Sequence, residues 1–169
     1  MVMEVRLHGA LWRSATPDRA AEWRTALQEV NDDNRIRMRT SAAPLDDAPP
    51  SLELVQPPDG PLLARCAPDG VRVTQTLCLE SEDLRACLRE YADTIQRLAH
   101  MDREAPIRGW EALDYAKRLV HDQAADALRA LLDPALELDL IDARRLFTLF
   151  FLVATDLPES LVRYHRFHR

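Results

Sequence analysis

The sequence is short of glycine, lysine and cysteine, and each shortage removes a class of function. Four glycines in 169 residues cannot build a glycine-rich phosphate loop, and neither GxGxxG nor the P-loop pattern occurs. HExxH, GxSxG and zinc-type Cys/His spacings are missing as well, so neither a metal nor another cofactor is expected. A single lysine, Lys117, stands beside 21 arginines; against 28 acidic residues the net charge is −6. That balance argues against nucleic-acid binding, which needs a basic surface to displace counterions from phosphates. Cys66, Cys78 and Cys87 are odd in number and form no CxxC pair, which reads as free thiols serving as small buried hydrophobes. The opening "MVMEVRLHGALWRS" has no continuous apolar region and no small-residue cleavage site, so a cytoplasmic chain without a secretion signal is expected. A long apolar run is lacking too. The stretch from Leu146 to Ala154 spans nine residues and Thr148 interrupts it, whereas a membrane-spanning helix needs about 20.

What remains is an ordinary globular composition, 47% hydrophobic and 30% charged. A chain of this length can bury a core without disulfides or a structural metal, and one domain over 1–169 is expected. "MEVRLH" alternates apolar and charged residues, the period of a half-buried strand. Thr16 as N-cap and Pro17 at the first helical position open a helix over about 17–31. Residues 32–50 hold three prolines and little periodicity, and are expected to be a mobile loop. Within them "RIRMR" could form an edge strand, but its acidic flanks favour solvated loop. "PPDGP" at 57–61 and "APDGV" at 67–71 supply two turns between apolar runs, predicting a three-stranded antiparallel meander.

Ser81 caps a helix that should run to about Met101. A second helix spans about Trp110–Leu132, and a third begins near Asp139. The run of this third helix from Leu146 to Ala154 is apolar all round, and such a helix belongs at the centre of a bundle or in an interface. A basic tail over 159–169, ending "RYHRFHR", is expected to be loosely attached. Strands followed by helices make the fold class α+β: N-terminal strand and helix, three-stranded meander, C-terminal helical bundle with one central all-apolar helix.

Two constellations could carry chemistry. Asp114, Arg118 and His121 sit at i, i+4 and i+7 along one helical stripe. A histidine beside a carboxylate could work as acid or base, which makes His121 and Asp114 the catalytic candidates. The plainer alternative is a surface ion pair between Asp114 and Arg118 with a boundary histidine. Arg144 and Arg145 stand in the first turns of the last helix, where a cation faces the positive end of the dipole. Asp142 can offset Arg145 locally. Arg144 has only Ile141 and Leu140 at i−3 and i−4, so its partner must come from another helix, another subunit or a bound anion. With Arg118 the pair makes the anion-binding candidates.

The blocks "LCLESEDLRACLREY", "EALDYAKRLVHDQAADALRALL" and above all "LDLIDARRLFTL" resemble the shared stretches of a small uncharacterised protein family (UPF type) of alphaproteobacteria, often encoded near histidinol dehydrogenase. The resemblance covers roughly residues 50–155 and implies no reaction. It does imply that Asp114, Arg118, His121, Arg144 and Arg145 occupy motif positions. The chain departs from the family just after the histidine, with Asp122-Gln123-Ala124 where the resemblance leads one to expect Asn-Glu-Gly.

Two functions follow. The first is a soluble interaction or regulatory protein without catalytic activity, homo-oligomeric and bound to a protein partner. The second is a small enzyme or binding protein for an anionic metabolite, using the Arg/His cluster.

Overall fold

The structure is a computed structural model that describes residues 2–39, 48–104, 107–155 and 158–162. The chain begins with strand β1 (Glu4–Leu7), a short helix α1 (Gly9–Ser14) and helix α2 (Pro17–Asn31). Thr16 caps α2 by accepting the Arg19 N–H at 3.3 Å, and Pro17 fills the first turn. Strands β3 (Ser51–Val55), β4 (Leu63–Ala67) and β5 (Gln75–Cys78) form the expected meander, with antiparallel pairing throughout.

The second Pro-Asp-Gly turn works as its residues dictate. Asp69 Oδ1 accepts the N–H groups of Val71 at 2.9 Å and Arg72 at 2.7 Å. These bonds hold the Asp69 carboxyl below the usual carboxylate range. Gly70 takes φ +75°, and a Cβ there would meet the Pro49 carbonyl at 2.8 Å.

The sheet is larger than a meander. β1 joins it in parallel beside β3, with Val5 opposite Leu52, giving the order β1-β3-β4-β5. The connection between the two parallel strands carries α1 and α2, as a crossover must. Within the expected loop, Arg37–Met38 form strand β2, which pairs antiparallel with β6 (Leu136–Glu137). "RIRMR" is therefore not simply solvated loop, since Ile36 is fully buried. Positions 40–47 of the expected loop lie outside the described residues.

The two sheet edges differ. The β1 edge is closed by asparagine side chains that imitate a neighbouring strand. Asn31 accepts the Val5 N–H at 2.9 Å and returns a bond to its carbonyl at 3.0 Å, and Asn34 donates to the Met3 carbonyl at 3.0 Å. The β5 edge carries no such cover among the described residues.

Helices α3 (Glu82–Glu104), α4 (Ile107–Leu132) and α5 (Leu140–Ala154) form the helical part, followed by α6 (Glu159–Val162). Ser81 Oγ accepts the Leu84 N–H at 3.1 Å at the start of α3. Asp139 caps α5 by accepting the Asp142 N–H at 2.8 Å, a bond whose loss typically costs ~1 kcal/mol. α3 and α4 extend a few residues further than periodicity indicates, so the break between them is shorter. Of the expected tail, 159–162 form α6 and 163–169 lie outside the described residues.

α5 sits between α2 and α4. Ala143, Leu146, Phe147, Leu149, Phe150, Phe151 and Leu152 are all buried in the core of the chain itself. This answers whether the apolar helix belongs to a core or an interface. Trp23 on α2 locks the packing by donating from its indole to the Leu152 carbonyl at 3.1 Å. No helix among the described residues is long and apolar enough to cross a membrane.

Candidate functional site

The candidate residues meet where α3, α4 and α5 share one aromatic core. Tyr91 of α3 makes edge-on contacts with His121 of α4 (5.5 Å between ring centres), and with Phe147 (5.5 Å) and Phe151 (4.7 Å) of α5. His121 also meets Phe147 edge-on at 4.9 Å. Such pairs are favoured by the opposite charge of ring edge and face. They fix the rotation of α4 and so place every polar group on it.

One turn before the histidine lies a buried charge cluster. Lys117, the only lysine, is 2% exposed, and its Nζ lies 3.5 Å from Asp114 Oδ1. The other carboxylate oxygen of Asp114 accepts from Arg118 Nη2 at 2.7 Å. Asp114 is buried and Arg118 reaches it from the solvent side. A single carboxylate thus joins an interior ammonium to a surface guanidinium. Burial lowers the pKa of Lys117, an effect that Asp114 partly offsets. Burial, and secondarily the Asp114 charge, raises the pKa of the Tyr91 phenol. Both shifts follow from the cost of holding a charge away from water.

The next turn belongs to His121 and Asp122. His121 Nε2 lies 2.9 Å from Thr148 Oγ1. Thr148 donates its own proton to the Arg144 carbonyl at 3.2 Å, the usual i−4 bond of a helical threonine. Its oxygen is then free to accept from His121 Nε2. Arg144 grips Asp122 with two parallel bonds, Nε to Oδ1 at 2.7 Å and Nη2 to Oδ2 at 3.0 Å. The pair raises the pKa of Arg144.

Four of the five sequence candidates are therefore assembled along one seam: Asp114, Arg118 and His121 on α4, and Arg144 on α5. Arg145 is not among them. It turns to α2, where Nη1 donates to the Asp32 carbonyl at 2.8 Å, at the negative end of that helix. Asp142, its expected local partner, is buried and accepts the Arg35 N–H at 3.2 Å, and the charge of Arg145 still acts on its carboxylate, as expected.

Lys117, Tyr91, Thr148 and Asp122 were not among the site candidates read from the sequence. For Lys117 a signal existed: it is the sole lysine in an arginine-rich chain and stands three residues from Asp114. An open cleft of about 470 Å³ between α3 and α4 is lined by Asp93, Gln96, Arg97, His100, Met101 and Leu113, none of them a candidate. Among the described residues, no group of three or more His, Cys, Asp or Glu side chains could hold a metal ion.

The outer face of α4 differs in character. Tyr115 is 67% exposed and Leu119 is 48% exposed. They stand at i and i+4, so they lie side by side. Glu111, Arg118 and Asp126, all exposed, and the partly exposed Asp122 lie along the same stripe of the helix.

Comparison with known proteins gives a consistent result. A UPF0262 protein of Acidiphilium cryptum is 31% identical over 150 residues, covering 88% of this chain and 86% of its own. A UPF0262 protein of Erythrobacter litoralis is 33% identical over 140 residues, covering 82% and 85%. One from Novosphingobium aromaticivorans is 29% identical over 143 residues, covering 82% and 85%. No solved structure matches the chain. The uncharacterised protein family UPF0262 matches residues 1–155. With nearly the whole chain matched, this protein belongs to the UPF0262 family, which is found across alphaproteobacteria.

Proposed function

We propose that this protein is a non-catalytic interaction protein that works as a homo-oligomer and recognises a protein partner with the outer face of α4. The observation that carries this reading is the pair Tyr115 and Leu119, exposed side by side on a stripe they share with charged residues. An apolar, aromatic centre with a polar rim is the anatomy of a protein-binding patch, and Tyr and Arg are the residues that most often anchor one. The seam beneath serves as its support. Arg118 and Arg144 each already hold a carboxylate, and His121 is held by Thr148. The three free thiols fit a reducing compartment, and we place the protein in the cytoplasm.

The second reading is an anionic metabolite bound by Arg118, Arg144 and Arg145, with His121 and Asp114 as acid and base. It is supported by the convergence of His121, Arg118 and Arg144 on one seam. It requires the ligand to displace Asp114 and Asp122 from their arginines. A thermal-shift panel of phosphorylated and carboxylated metabolites separates the two readings. The interaction reading predicts no shift. A ligand-dependent rise in Tm that Arg144→Ala abolishes would overturn it in favour of the metabolite.

A further inference from the structure

β5 ends the sheet, and its hydrogen-bonding groups alternate in direction. The Leu79 N–H donates to the Leu62 carbonyl at 2.9 Å, and the ladder continues through the pairs Ala64–Leu77 and Cys66–Gln75. In an antiparallel ladder every second residue bonds to the neighbouring strand. Thr76 and Cys78 therefore turn their N–H and C=O groups away from β4, and these groups meet no partner among the described residues. The side chains of Thr76 and Cys78 are exposed, and that of Leu77, on the inner face, is only partly covered.

An open edge of this kind pairs readily with another strand unless charge, proline or a covering element prevents it. The β1 edge has such a cover in Asn31 and Asn34. From Thr74 to Glu80, "TQTLCLE", the β5 edge has no proline and one charge, at its end. Two exposed valines, Val71 at 81% and Val73 at 46%, lead into the strand.

We infer that β5 pairs antiparallel with β5 of a second copy of this chain, joining two four-stranded sheets into one continuous sheet. The segment is self-complementary about a two-fold axis at Leu77. Thr76 of one copy then exchanges both backbone bonds with Cys78 of the other, and Cys78 with Thr76. The side chains brought opposite each other are small and uncharged. The two Leu77 side chains meet on the inner face, extending both cores across the axis. The Thr74 N–H donates to the Cys66 carbonyl of β4 at 2.9 Å, so the new pairing is confined to Thr76–Cys78, a stretch with no charged residue and no like charges to oppose. Such a closed, isologous contact is the commonest form of homodimer.

This inference rests on the homo-oligomeric part of the proposed function. Its test keeps the two apart. Light scattering after size exclusion, under reducing conditions, is run on the full chain and on the variants T76K/C78K and T76E/C78E. Both positions are exposed, so the fold should survive, and circular dichroism verifies this. Cys78→Ser controls for the thiol and should remain a dimer. Wild type is expected to be a dimer. Each charged variant should be a monomer, because like charges then oppose across the axis. Mixing the two variants should restore the dimer by pairing Lys with Glu. A wild-type dimer that both charged variants retain would overturn the β5 interface and leave homo-oligomerisation standing. A wild-type monomer at every concentration would overturn both.

Discussion

Lys117 Nζ lies 3.5 Å from Asp114 Oδ1, with both side chains almost wholly withdrawn from water. Removing one partner of a buried pair strands the other charge, at a cost of about 3–5 kcal/mol. Asp114→Ala is therefore expected to destabilise the protein by roughly that amount, since it abandons Lys117. Lys117→Met should cost less, because Arg118 still satisfies Asp114 at 2.7 Å. Urea denaturation at neutral pH measures both, and a Lys117→Met loss equal to that of Asp114→Ala would contradict the cluster as described.

The same lysine sets a pH dependence. Its pKa in the folded chain is below the ordinary 10.5. Between the folded value and 10.5 the unfolded chain binds more protons, so the lysine makes stability rise with pH across that window. In Lys117→Met this contribution should vanish. Denaturation midpoints of the two proteins, measured from pH 7 to 10, should therefore diverge as pH rises, with wild type gaining on the variant. Curves that stay parallel would contradict a buried, titrating ammonium.

Asp142 gives a dependence of the opposite sense. Burial, reinforced by the neighbouring Asp139 carboxylate and opposed by the Arg35 N–H, raises its pKa above 3.8. The stability this confers is complete below 3.8 and is lost as pH climbs through the folded value. Asp142→Asn keeps an acceptor for Arg35 and has no charge to bury. It should be more stable than wild type at pH 7 and gain nothing at pH 3, as read by thermal unfolding at each pH. A variant less stable than wild type at neutral pH would show that the ionised form is the favoured one.

Arg144 and Asp122 are half-exposed, so their bidentate contact is discounted for solvent screening. A double-mutant cycle with Arg144→Ala and Asp122→Ala should give a coupling of about 0.5–1 kcal/mol. A coupling near zero would mean that the pair is not formed in solution, leaving Arg144 available for an anion.

Phe147 touches Tyr91, His121 and Phe151 at once. Phe147→Ala should cost about 3–5 kcal/mol, the usual penalty for deleting a buried aromatic side chain. Denaturant unfolding measures the loss, and near-ultraviolet circular dichroism reports whether Tyr91 has lost its fixed surroundings. A loss under 1 kcal/mol would contradict its place at the junction of the three helices.

Local chemistry was legible in the sequence, and adjacency was not. The Asp139 cap, the Thr16–Pro17 helix start and the Pro-Asp-Gly turns each act within four residues, and they stand where the sequence puts them. The parallel pairing of β1 with β3 brings Val5 to Leu52, and no residue near either strand announces it. The alternation in "RIRMR" allowed the strand β2, but its acidic flanks argued for loop, and its partner lies beyond α4 where no local signal reaches. Arg144 was correctly seen to need a distant carboxylate, but helical spacing does not say which turn of α4 faces it. Lys117 escaped notice because a lysine on an amphipathic helix ordinarily marks the solvent side, and here it lies inside.

The central claim is that the outer face of α4 binds a protein. Site-specific photo-cross-linking in cells tests it most directly, with the probe placed at Tyr115, at Leu119 and, as a control, at the exposed Gln28 on α2. The account predicts one discrete adduct with another protein, the same from positions 115 and 119, and none from position 28. No adduct at 115 and 119, or adducts equally abundant at all three positions, would contradict it.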